Sequence, residues 1–359
     1  MNILIAGNLA NTGFYLTSQL INNKINAELL MENNPKFESD PKNSGFFEGM
    51  YPNWIRFFDK KKSWKFQIIK IMKRYDIIGA ATEFPIFALF SFKPFVAIAT
   101  GSDLYELAHK KSLKGLLLKL AYKKAKVVVF TLPSQISYVK KLKLKNATFL
   151  PLFRKEVKSN KELQVEERKK FVIFHPTNHL WDFKKNDIFL KSFIKLAKSR
   201  DDVFLITINR GVDAEKSIEL LKNADIEGKY EIISKTLNQD QLYEYYQNCD
   251  IVADQFGIGS FGYIGQEILK LGKPLMCYIE KDNYEKLYGE KPPVLSSQNV
   301  DELVMLMNEV ITDKTKYQKV SLESKRWYEK YHSETVLIKK YISLFKDVYT
   351  NKISNIDFI

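Results

Sequence analysis

Short apolar runs alternate with segments of helical periodicity through the first 150 residues. The apolar runs are bounded by Gly, Asn, Asp or Lys, a pattern typical of buried parallel strands. The segments between them carry apolar residues three or four positions apart, as amphipathic helices do. The predicted strands are 2–7, 27–32, 76–81, 93–100 and 126–131, and the predicted helices are 12–23, 64–75 and 113–125. This order predicts a parallel, doubly wound sheet.

The same alternation of apolar runs and helical segments resumes after residues 154–170, which are highly charged and have no apolar stripe. That segment is typical of a linker. The strands predicted after it are 171–177, 203–211, 230–234, 250–256 and 274–279, and the helices are 187–198, 214–224 and 239–249. Two further helices, 301–311 and 315–350, have no strand between them. The chain is therefore expected to hold two α/β domains of similar size.

Composition supports a folded chain and limits its class. Hydrophobic residues make up 45% of the sequence, which is enough for a full core. Cys249 and Cys277 match no metal or redox spacing, and they indicate a reducing cytoplasm. The first residues run directly into a strand, so no signal peptide is expected. The most apolar run, 84–92, is far shorter than the roughly 20 residues that span a bilayer.

Positive charge is concentrated in one half of the chain. The formal net charge is +14, and residues 1–150 hold 23 Lys/Arg against 10 Asp/Glu, whereas the remainder holds 33 against 32. Aromatic residues lie among the first lysines, namely Trp54, Phe57, Phe58, Trp64 and Phe66. This mixture predicts binding to an anionic membrane surface. A solvated lysine-rich surface is the alternative. Nucleic acid is not expected, because no recognised binding motif is present.

Residues 254–274, "DQFGIGSFGYIGQEILKLGKP", crowd four glycines in front of an amphipathic helix. Glycine is costly unless the chain must approach something closely or adopt positive φ. A glycine-rich loop before a helix is also a natural anion site. We therefore expect the amides of 259–262 to bind a diphosphate. Glu267, at the start of the helix, offers two acceptor oxygens to the vicinal hydroxyls of a ribose.

The segment 259–274 resembles the nucleotide-binding signature of the family 4 glycosyltransferases with the GT-B fold. That signature has two glutamates eight positions apart and ends before Gly-Lys-Pro. Glu267 matches the second glutamate, which the resemblance assigns to the ribose. Gly259 stands where the first glutamate would lie near the donor sugar. The donor-binding residues predicted in this stretch are Gly259, Ser260, Phe261, Gly262, Tyr263 and Glu267.

A second resemblance lies in 174–187, "FHPTNHLWDFKKND". Lys184 matches the family lysine that holds the donor diphosphate. His179 takes the place usually held by Arg, and an imidazole with an ordinary pKa near 6.5 is a weaker cation. Asn178 and Arg210 are further donor-binding candidates. An ordinary strand-to-helix loop is the alternative for this stretch.

Two loops of the first half complete the resemblance. Gly101, Ser102 and Asp103 match a family H-G-S-D pattern, with Thr100 in place of the histidine. Asp103 is predicted to be catalytic, together with Lys184 and Glu267. The first strand-to-helix loop, with Gly7, Asn8 and Gly13, is implied to border the acceptor and the donor phosphates. A simple turn and a connecting loop are the respective alternatives.

The resemblance implies a GT-B fold, in which two Rossmann-like domains face each other across a cleft and the C-terminal helices cross back to the first domain. The expected organisation follows the chain in four parts. They are an acceptor-side domain 1–155, a linker 156–169, a nucleotide-sugar-binding domain 170–325, and returning helices 326–359.

The resemblance implies transfer of a sugar from a nucleotide-sugar donor to an acceptor hydroxyl with anomeric retention. No Asp-x-Asp pair is present, so metal-independent transfer without a further cofactor is expected. With the basic half, this predicts a cytoplasmic enzyme at the inner face of the membrane. Its acceptor would be a glycan or a lipid-linked glycan in surface polysaccharide or glycolipid assembly. A non-catalytic nucleotide-sugar or nucleic-acid binding protein and a sugar epimerase remain alternatives. A phosphorylase is not expected, since no lysine suggests a pyridoxal Schiff base.

Overall fold

The structure, a computed structural model, describes residues 1–44, 49–152 and 170–359. The chain forms two compact units: unit 1 is Met1–Glu156 with Ser333–Ile359, and unit 2 is Val157–His332. The predicted linker, 156–169, lies outside the described residues.

Unit 1 is built on a seven-stranded parallel sheet. Its strands are β1 Asn2–Ala6, β2 Asn26–Glu32, β3 Ile55–Phe58, β4 Ile77–Ala81, β5 Phe95–Ala99, β6 Val127–Phe130 and β7 Ala147–Phe149. Their order is β3-β2-β1-β4-β5-β6-β7. Its first helices are α1 Thr12–Asn22, α2 Trp64–Met72, α3 Phe84–Ser91, α4 Ser102–Tyr105, α5 Leu113–Lys124 and α6 Ile136–Lys141.

Unit 2 contains a five-stranded parallel sheet. Its strands are β8 Phe171–His175, β9 Val203–Ile208, β10 Tyr230–Ile233, β11 Ile251–Ala253 and β12 Leu275–Met276, in the order β10-β9-β8-β11-β12. Its helices are α7 Trp181–Lys184, α8 Asn186–Ser199, α9 Ala214–Lys222, α10 Gln239–Asn248, α11 Tyr263–Leu271, α12 Lys281–Tyr288, α13 Val300–Thr312 and α14 Lys314–Tyr331. The last long helix of the chain, α15 Glu334–Tyr349, belongs to unit 1.

Alternate residues of the unit 2 strands enter different hydrophobic clusters. Ile173 and Ile251 join a cluster with Phe189 and Phe193, whereas Phe174 and Val252 join one with Tyr284. Because successive strand residues point to opposite faces, both faces of the sheet are covered. The predicted α/β class, with two parallel sheets, is confirmed.

The apolar segment 84–92, which the sequence leaves without an element, forms α3. Pro85 lies in its first turn, where a missing N–H is tolerated. Across residues 1–44, 49–152 and 170–359, no helix has both the length and the apolarity to cross a bilayer.

The predicted helix 315–350 is two helices. Ser333 has an extended backbone with ψ of 146°, which ends the helical path between α14 and α15. α14 packs against α11 in unit 2, and α15 packs against α1, β4 and β5 in unit 1. The predicted start of the returning segment, residue 326, lies inside α14. In α15, the hydroxyl of Tyr341 donates to the carbonyl of Pro151 at 3.0 Å.

Most of the aromatic residues among the first lysines are half-buried or buried. The ring of Trp64 stacks on the buried Phe58 with centroids 5.8 Å apart. Trp54 packs against the ring of Phe14 at 5.1 Å. Phe66 differs, because it is 76% exposed. Phe58 is therefore part of the core of unit 1 and is not available to a membrane surface, whereas membrane binding itself stays a prediction.

Candidate functional site

Three loops of unit 2 leave the sheet at one edge. β8, β11 and β12 are parallel neighbours, so their carboxyl ends lie together. In open α/β sheets, ligands bind at this edge. The loop after β8 leads to Lys184, and the loop after β11 carries the glycines. The loop that leads to Lys184 and the glycine-rich loop, both predicted to bind the donor, therefore lie at the same edge of the unit 2 sheet.

The three glycines of the loop 257–262 serve different purposes. A Cβ at Gly257 would lie 2.2 Å from the carbonyl oxygen of Phe183, so this glycine permits two backbone segments to touch. Gly259 has a φ of +78°, in the left-handed region. A Cβ at Gly262 would meet nothing within 4 Å. Open space therefore lies beside the residue that precedes α11.

Phe261 serves the core. Its ring is 2% exposed and packs on Tyr284 and Trp327, at centroid distances of 5.3 and 5.7 Å. Its N–H donates to the hydroxyl of Tyr284 at 3.2 Å. The amide of Gly262 points to Oδ2 of Asp254 at 3.4 Å. Two of the four amides predicted to hold a diphosphate therefore have protein acceptors, which corrects that assignment for Phe261 and Gly262.

Further N–H donors of this region lie in the first turn of α11. The first N–H groups of any helix have no acceptor within the helix, and they face its N-terminal end. Tyr263 begins the helix beside the open space at Gly262. Ser260 is fully buried, and its carbonyl accepts a hydrogen bond from Nε2 of Gln255 at 2.5 Å. That bond shapes the loop that leads into the helix.

Glu267 lies in the second turn of α11, and not at the opening of the helix as predicted. Its side chain is buried, and Oε1 accepts a hydrogen bond from Nε2 of Gln239 at 2.7 Å. Gln239 is the first residue of α10 and was not predicted as a site residue. Asn238 accepts a hydrogen bond from the amide of Gln241 and so caps α10. This cap fixes the start of the helix, where Gln239 lies.

The lysine of Gly272-Lys273-Pro274 has a structural role. Lys273 is 4% exposed, and its Nζ donates to the carbonyls of Gln247, at 2.9 Å, and of Cys249. These carbonyls lie at the C-terminal end of α10, where a cation is favoured. This lysine therefore fastens α10 to α11, and with it the Gln239–Glu267 pair.

Lys184 ends α7 and is partly buried. Its Nζ donates to Oγ1 of Thr177 at 2.6 Å. Burial lowers the pKa of Lys184, and the carboxylate of Asp254 opposes that effect. Burial likewise raises the pKa of Asp254, against the effect of Lys184. Thr177 and Asp254 were not predicted as site residues. They follow the buried strands β8 and β11, and this position is the sequence signal that could have identified them.

His179 is a buried neutral imidazole and not the cation that was predicted. It is fully buried, and its Nε2 lies 3.0 Å from the carbonyl oxygen of Ile208. A carbonyl accepts, so Nε2 carries the proton. Burial lowers the pKa of His179 to about 4. A group with that pKa is uncharged at neutral pH, so it supplies no positive charge to a phosphate.

The other histidine of this loop is also structural. His175 is fully buried, and its Nε2 accepts from Nδ2 of Asn186 at 3.0 Å, because Oδ1 of Asn186 accepts from the amide of Leu180. Nδ1 of His175 therefore carries the proton and donates to the carbonyl of Ala253 at 2.8 Å. This chain of bonds joins β8, α8 and β11 and sets the path of the loop that carries Lys184.

Asn178 and Arg210 lie together at the exposed side of the same loop. Nε of Arg210 donates to Oδ1 of Asn178, and Arg210 is exposed. The carbonyl of Arg210 accepts from the amide of His179 at 2.8 Å. The next residue, Gly211, has a φ of +117°, and a Cβ there would lie 2.3 Å from the carbonyl oxygen of His179. The two predicted donor-binding residues are therefore neighbours.

In unit 1, Asp103 folds its own loop. Its carboxylate accepts from the amides of Thr100, at 3.0 Å, and Gly101, at 2.6 Å, and from the hydroxyl of Tyr122 at 3.0 Å. The side chain is buried, and burial raises its pKa while these donors oppose the change. The carboxylate of Asp103 is thus turned towards the loop that precedes α4, and its catalytic role stays a prediction.

Asn8 is turned inward in the same way. Its Nδ2 donates to Oδ1 of Asn11 at 3.0 Å and to the carbonyl of Ser39 at 2.8 Å, and its Oδ1 accepts from the amide of Phe14. Both amide hydrogens are used within the protein, and the ligand role of Asn8 stays a prediction. The residue closes the loop between β1 and α1.

Gly7 and Gly13 pack directly against each other. Gly7 has a φ of +100°, and a Cβ at Gly13 would lie 2.2 Å from the carbonyl oxygen of Gly7. With Thr100 they line a cavity of only about 10 Å³, enough for roughly one water molecule. Ser102 begins α4 and is exposed. Gly7, Gly13 and Thr100 thus lie together, which is part of what was predicted for unit 1. Close packing of the backbone is nevertheless enough to explain why both positions are glycine.

Two larger cavities lie in other places. One of about 590 Å³ is lined by Asn2, Asn26 and Arg56, at the amino ends of the unit 1 strands. That is the edge opposite to the one where α/β sheets bind ligands. Another, of about 850 Å³, opens beside Glu280 and Ser297 in unit 2. Its wall includes residues that directly follow β12.

Within the described ranges, no three or more His, Cys, Asp or Glu side chains are grouped so as to hold a metal ion. Metal-independent transfer stays a prediction.

The fold can be compared with proteins of known structure. No protein-family model and no curated protein sequence matches the chain. Among solved structures, it is similar to HepE from Anabaena in complex with UDP and glucose, with a TM-score of 0.74 at 13% identity over 96% of this chain and 99% of the other. A sucrose-phosphate synthase from Thermosynechococcus elongatus has a TM-score of 0.69 at 10% identity, covering 98% and 100% of the two chains.

A glycosyltransferase from Rickettsia africae is similar as well, with a TM-score of 0.70 at 13% identity over 98% of this chain and 99% of its own. The predicted GT-B fold is thereby confirmed, since these proteins match nearly the whole chain. At such identities the likeness concerns the fold, and a fold hosts many activities. Function therefore has to be argued from the residues of the site.

Proposed function

We propose that the protein is a glycosyltransferase that moves a sugar from a nucleotide-sugar donor to an acceptor hydroxyl. The observation that carries this proposal is the edge of the unit 2 sheet. There, the open N-terminal end of α11, the partly buried Lys184 and the buried Glu267 belong to neighbouring elements. HepE, which shares the fold, has been solved with UDP and with UDP-glucose, which favours a nucleotide sugar as the ligand.

The donor diphosphate is placed at the N-terminal end of α11. Anions are favoured there by the helix dipole and by N–H groups without an intrahelical acceptor. Lys184, at the end of the neighbouring α7, adds an amino group whose protonated form the carboxylate of Asp254 favours. Departure of a nucleoside diphosphate develops negative charge, and fixed donors that face this charge stabilise the transition state. His179 has no part in this, because it is neutral and its Nε2–H is bound to Ile208.

The ribose is assigned to Glu267. A carboxylate can accept from both vicinal hydroxyls of a pentose. Gln239 holds Oε1 of Glu267 at 2.7 Å, which fixes the orientation of the carboxylate before a ligand arrives. Gln239 is therefore proposed as a positioning residue. Retention of anomeric configuration is part of the proposal and rests on the sequence resemblance described above. Independence from metal is also part of it and rests on the absence of an Asp-x-Asp pair from the sequence.

The assignment is tested by Lys184→Ala and Glu267→Gln. Lys184→Ala is expected to reduce sugar transfer by about 100-fold or more, as loss of a charge-stabilising donor does elsewhere. Glu267→Gln is expected to have an effect of similar size, because an NH₂ donor replaces one of the two acceptor oxygens for the ribose hydroxyls. Lys191→Ala is the matched control, because Lys191 is an exposed lysine of α8 that pairs with Asp187. A thermal-shift screen with UDP, GDP, ADP and CMP selects the base, since a ligand that binds only the native state raises the Tm.

Three results would decide the matter. Release of nucleoside diphosphate by the wild type, lost in both variants but kept in Lys191→Ala, supports the proposal. Near-normal turnover in both variants means that the site is misassigned. Nucleotide binding without turnover over a range of acceptors would favour a binding protein instead.

The acceptor is proposed to be a glycan carried on a lipid. Six large apolar side chains are exposed on or next to three helices of unit 1, namely Phe66, Phe90, Phe92, Leu113, Leu116 and Leu120. α3 packs against both α2 and α5, so these helices are neighbours. We call this set the apolar face.

Exposed lysines accompany the apolar face, including Lys65, Lys70, Lys110, Lys111 and Lys114. Apolar side chains that enter the headgroup region, surrounded by lysines, fit the surface of an anionic bilayer. We therefore propose a peripheral enzyme at the cytoplasmic side of a membrane, in surface polysaccharide or glycolipid assembly.

A further inference from the structure

Glu280 lies against the Cα of Gly259. A Cβ built on Gly259 would be 2.8 Å from Cγ, 2.9 Å from Cδ and 3.0 Å from Oε1 of Glu280. Real Cβ atoms essentially never approach other atoms more closely than 3.0 Å, so the Glu280 side chain fills the space that a side chain at position 259 would need. The carboxylate of Glu280 thus takes the place where residue 259 would project.

The backbone holds this arrangement in place. The amide of Glu280 donates to the carbonyl of Gly259 at 2.9 Å. Nδ2 of Asn283, one turn into α12, donates to Oε2 of Glu280. One carboxylate oxygen is therefore oriented by Asn283, while the other, Oε1, lies at the glycine loop.

Gly259 is three residues before Gly262, and three residues span at most about 10 Å. In a nucleotide sugar, the sugar is attached directly to the terminal phosphate. A diphosphate at the N-terminal end of α11 therefore places the sugar within reach of groups on this loop. The inference rests on the function proposed above, because it needs that diphosphate.

We propose that Glu280 is the carboxylate that contacts the hydroxyls of the donor sugar. Its oxygens accept hydrogen bonds from neighbouring hydroxyls, as carboxylates in sugar sites can. The sequence resemblance leads one to look for this acid at position 259, where a glycine stands. The structure supplies a carboxylate to that position from the residue that precedes α12 instead, and the glycine leaves room for the Glu280 side chain.

A purely structural role for Glu280 has different consequences. Glu280 also precedes α12, and an acid at a helix N-terminus stabilises the helix modestly. Asp282, in the first turn of the same helix, has the same relation to the helix dipole but is not part of the Gly259 contact. Asp282→Asn is therefore the matched control for Glu280→Gln.

The experiment compares wild type, Glu280→Gln and Asp282→Asn with UDP and UDP-glucose as probes, or with the pair of the base that the screen selects. We expect Glu280→Gln to weaken binding of the nucleotide sugar about tenfold and to lower kcat about 100-fold, while the Kd of the free nucleoside diphosphate and the Tm stay unchanged. Asp282→Asn should match the wild type in all four measurements.

Each outcome separates this inference from the function on which it rests. If wild type transfers sugar and Glu280→Gln does so within twofold of it, the role of Glu280 is overturned and the glycosyltransferase assignment stands. A loss of Tm with equal loss of binding for both probes would make Glu280 structural. If wild type binds neither probe pair, the proposed function itself fails. Glu280→Asp, which keeps the charge on a shorter side chain, should retain more activity than Glu280→Gln.

Discussion

At the scale of single residues, polar side chains at strand ends divide into those used by their own loop and those turned to the sheet edge. Asp103 binds amides of its own turn, and Asn8 accepts from the amide of Phe14 in the following helix and donates to the carbonyl of the distant Ser39. Asp and Asn compete for local backbone groups in this way throughout proteins. The sequence places such residues at strand ends correctly, but it does not tell the two uses apart, because both require the same residue types.

His179 has a consequence for stability against pH. Its pKa is lowered from about 6.5 to about 4 by burial, so the unfolded chain binds the proton more tightly between these values. The stability that His179 contributes is present above pH 6.5 and is lost as the pH falls towards 4. We expect wild type to lose about 2 kcal/mol more unfolding free energy than His179→Gln between pH 7 and pH 5.

Urea denaturation at the two pH values measures this difference. Gln keeps a side-chain N–H for Ile208 but does not titrate, so the other groups of the chain cancel in the comparison. Parallel losses in the two proteins would mean that His179 is protonated without cost in the folded state, and its role as a phosphate cation would have to be restored.

At the scale of elements, the ends of α1 and α11 require glycine for opposite reasons. A Cβ at Gly13, in the first turn of α1, would lie 2.2 Å from the carbonyl oxygen of Gly7, whereas a Cβ at Gly262 would meet nothing within 4 Å. The first glycine allows a helix to pack on the loop before it. The second leaves room in front of a helix, as a bound anion requires.

Gly13→Ala is expected to lower the unfolding free energy by about 1–3 kcal/mol, because backbone must move to admit the methyl group. Gly262→Ala should cost less than that, since a Cβ there would meet nothing within 4 Å, although a ψ of −147° lies outside the β region and leaves a small penalty. Thermal unfolding of both variants measures the contrast. Equal destabilisation would show that the loop before α11 is as tightly packed as the one before α1.

At the scale of the whole molecule, charge and exposed apolar surface coincide in unit 1. The first 150 residues carry nearly all of the net positive charge, and the apolar face lies on helices of the same unit. Liposome flotation is expected to show stronger binding to vesicles that contain phosphatidylserine than to neutral ones. The triple variant Phe66→Ala, Phe92→Ala and Leu113→Ala should reduce that binding about tenfold or more.

Met305→Ala with Leu322→Ala is the control, since both side chains are exposed on unit 2. Equal flotation with neutral and anionic vesicles would remove the membrane from the proposal. Equal flotation of the triple variant and wild type would leave a membrane partner but assign it to another surface.

Much of the architecture follows from periodicity alone. The strands predicted at 2–7, 76–81 and 171–177 are present as β1, β4 and β8, because parallel strands covered on both faces are continuous apolar runs. β3 and β7 were not predicted, since short strands at the edges of the sheet have weak patterns. The break between α14 and α15 was missed because the helical pattern continues across Ser333 on both sides.

The sequence by itself determined the parallel α/β sheets, the glycine-rich entry to α11 and the position of Lys184, because periodicity and glycine placement are local properties of a chain. Only the tertiary structure decided that Asp103 and His179 are internal, that Gln239 holds Glu267, and that Glu280 fills the space at Gly259. The contacts of His179, Glu267 and Glu280 join residues far apart in the chain, and Asp103 is bonded to the hydroxyl of Tyr122 as well as to its own turn. Burial and hydrogen-bond partners across such distances arise only when the elements pack, so no pattern of neighbouring residues encodes them.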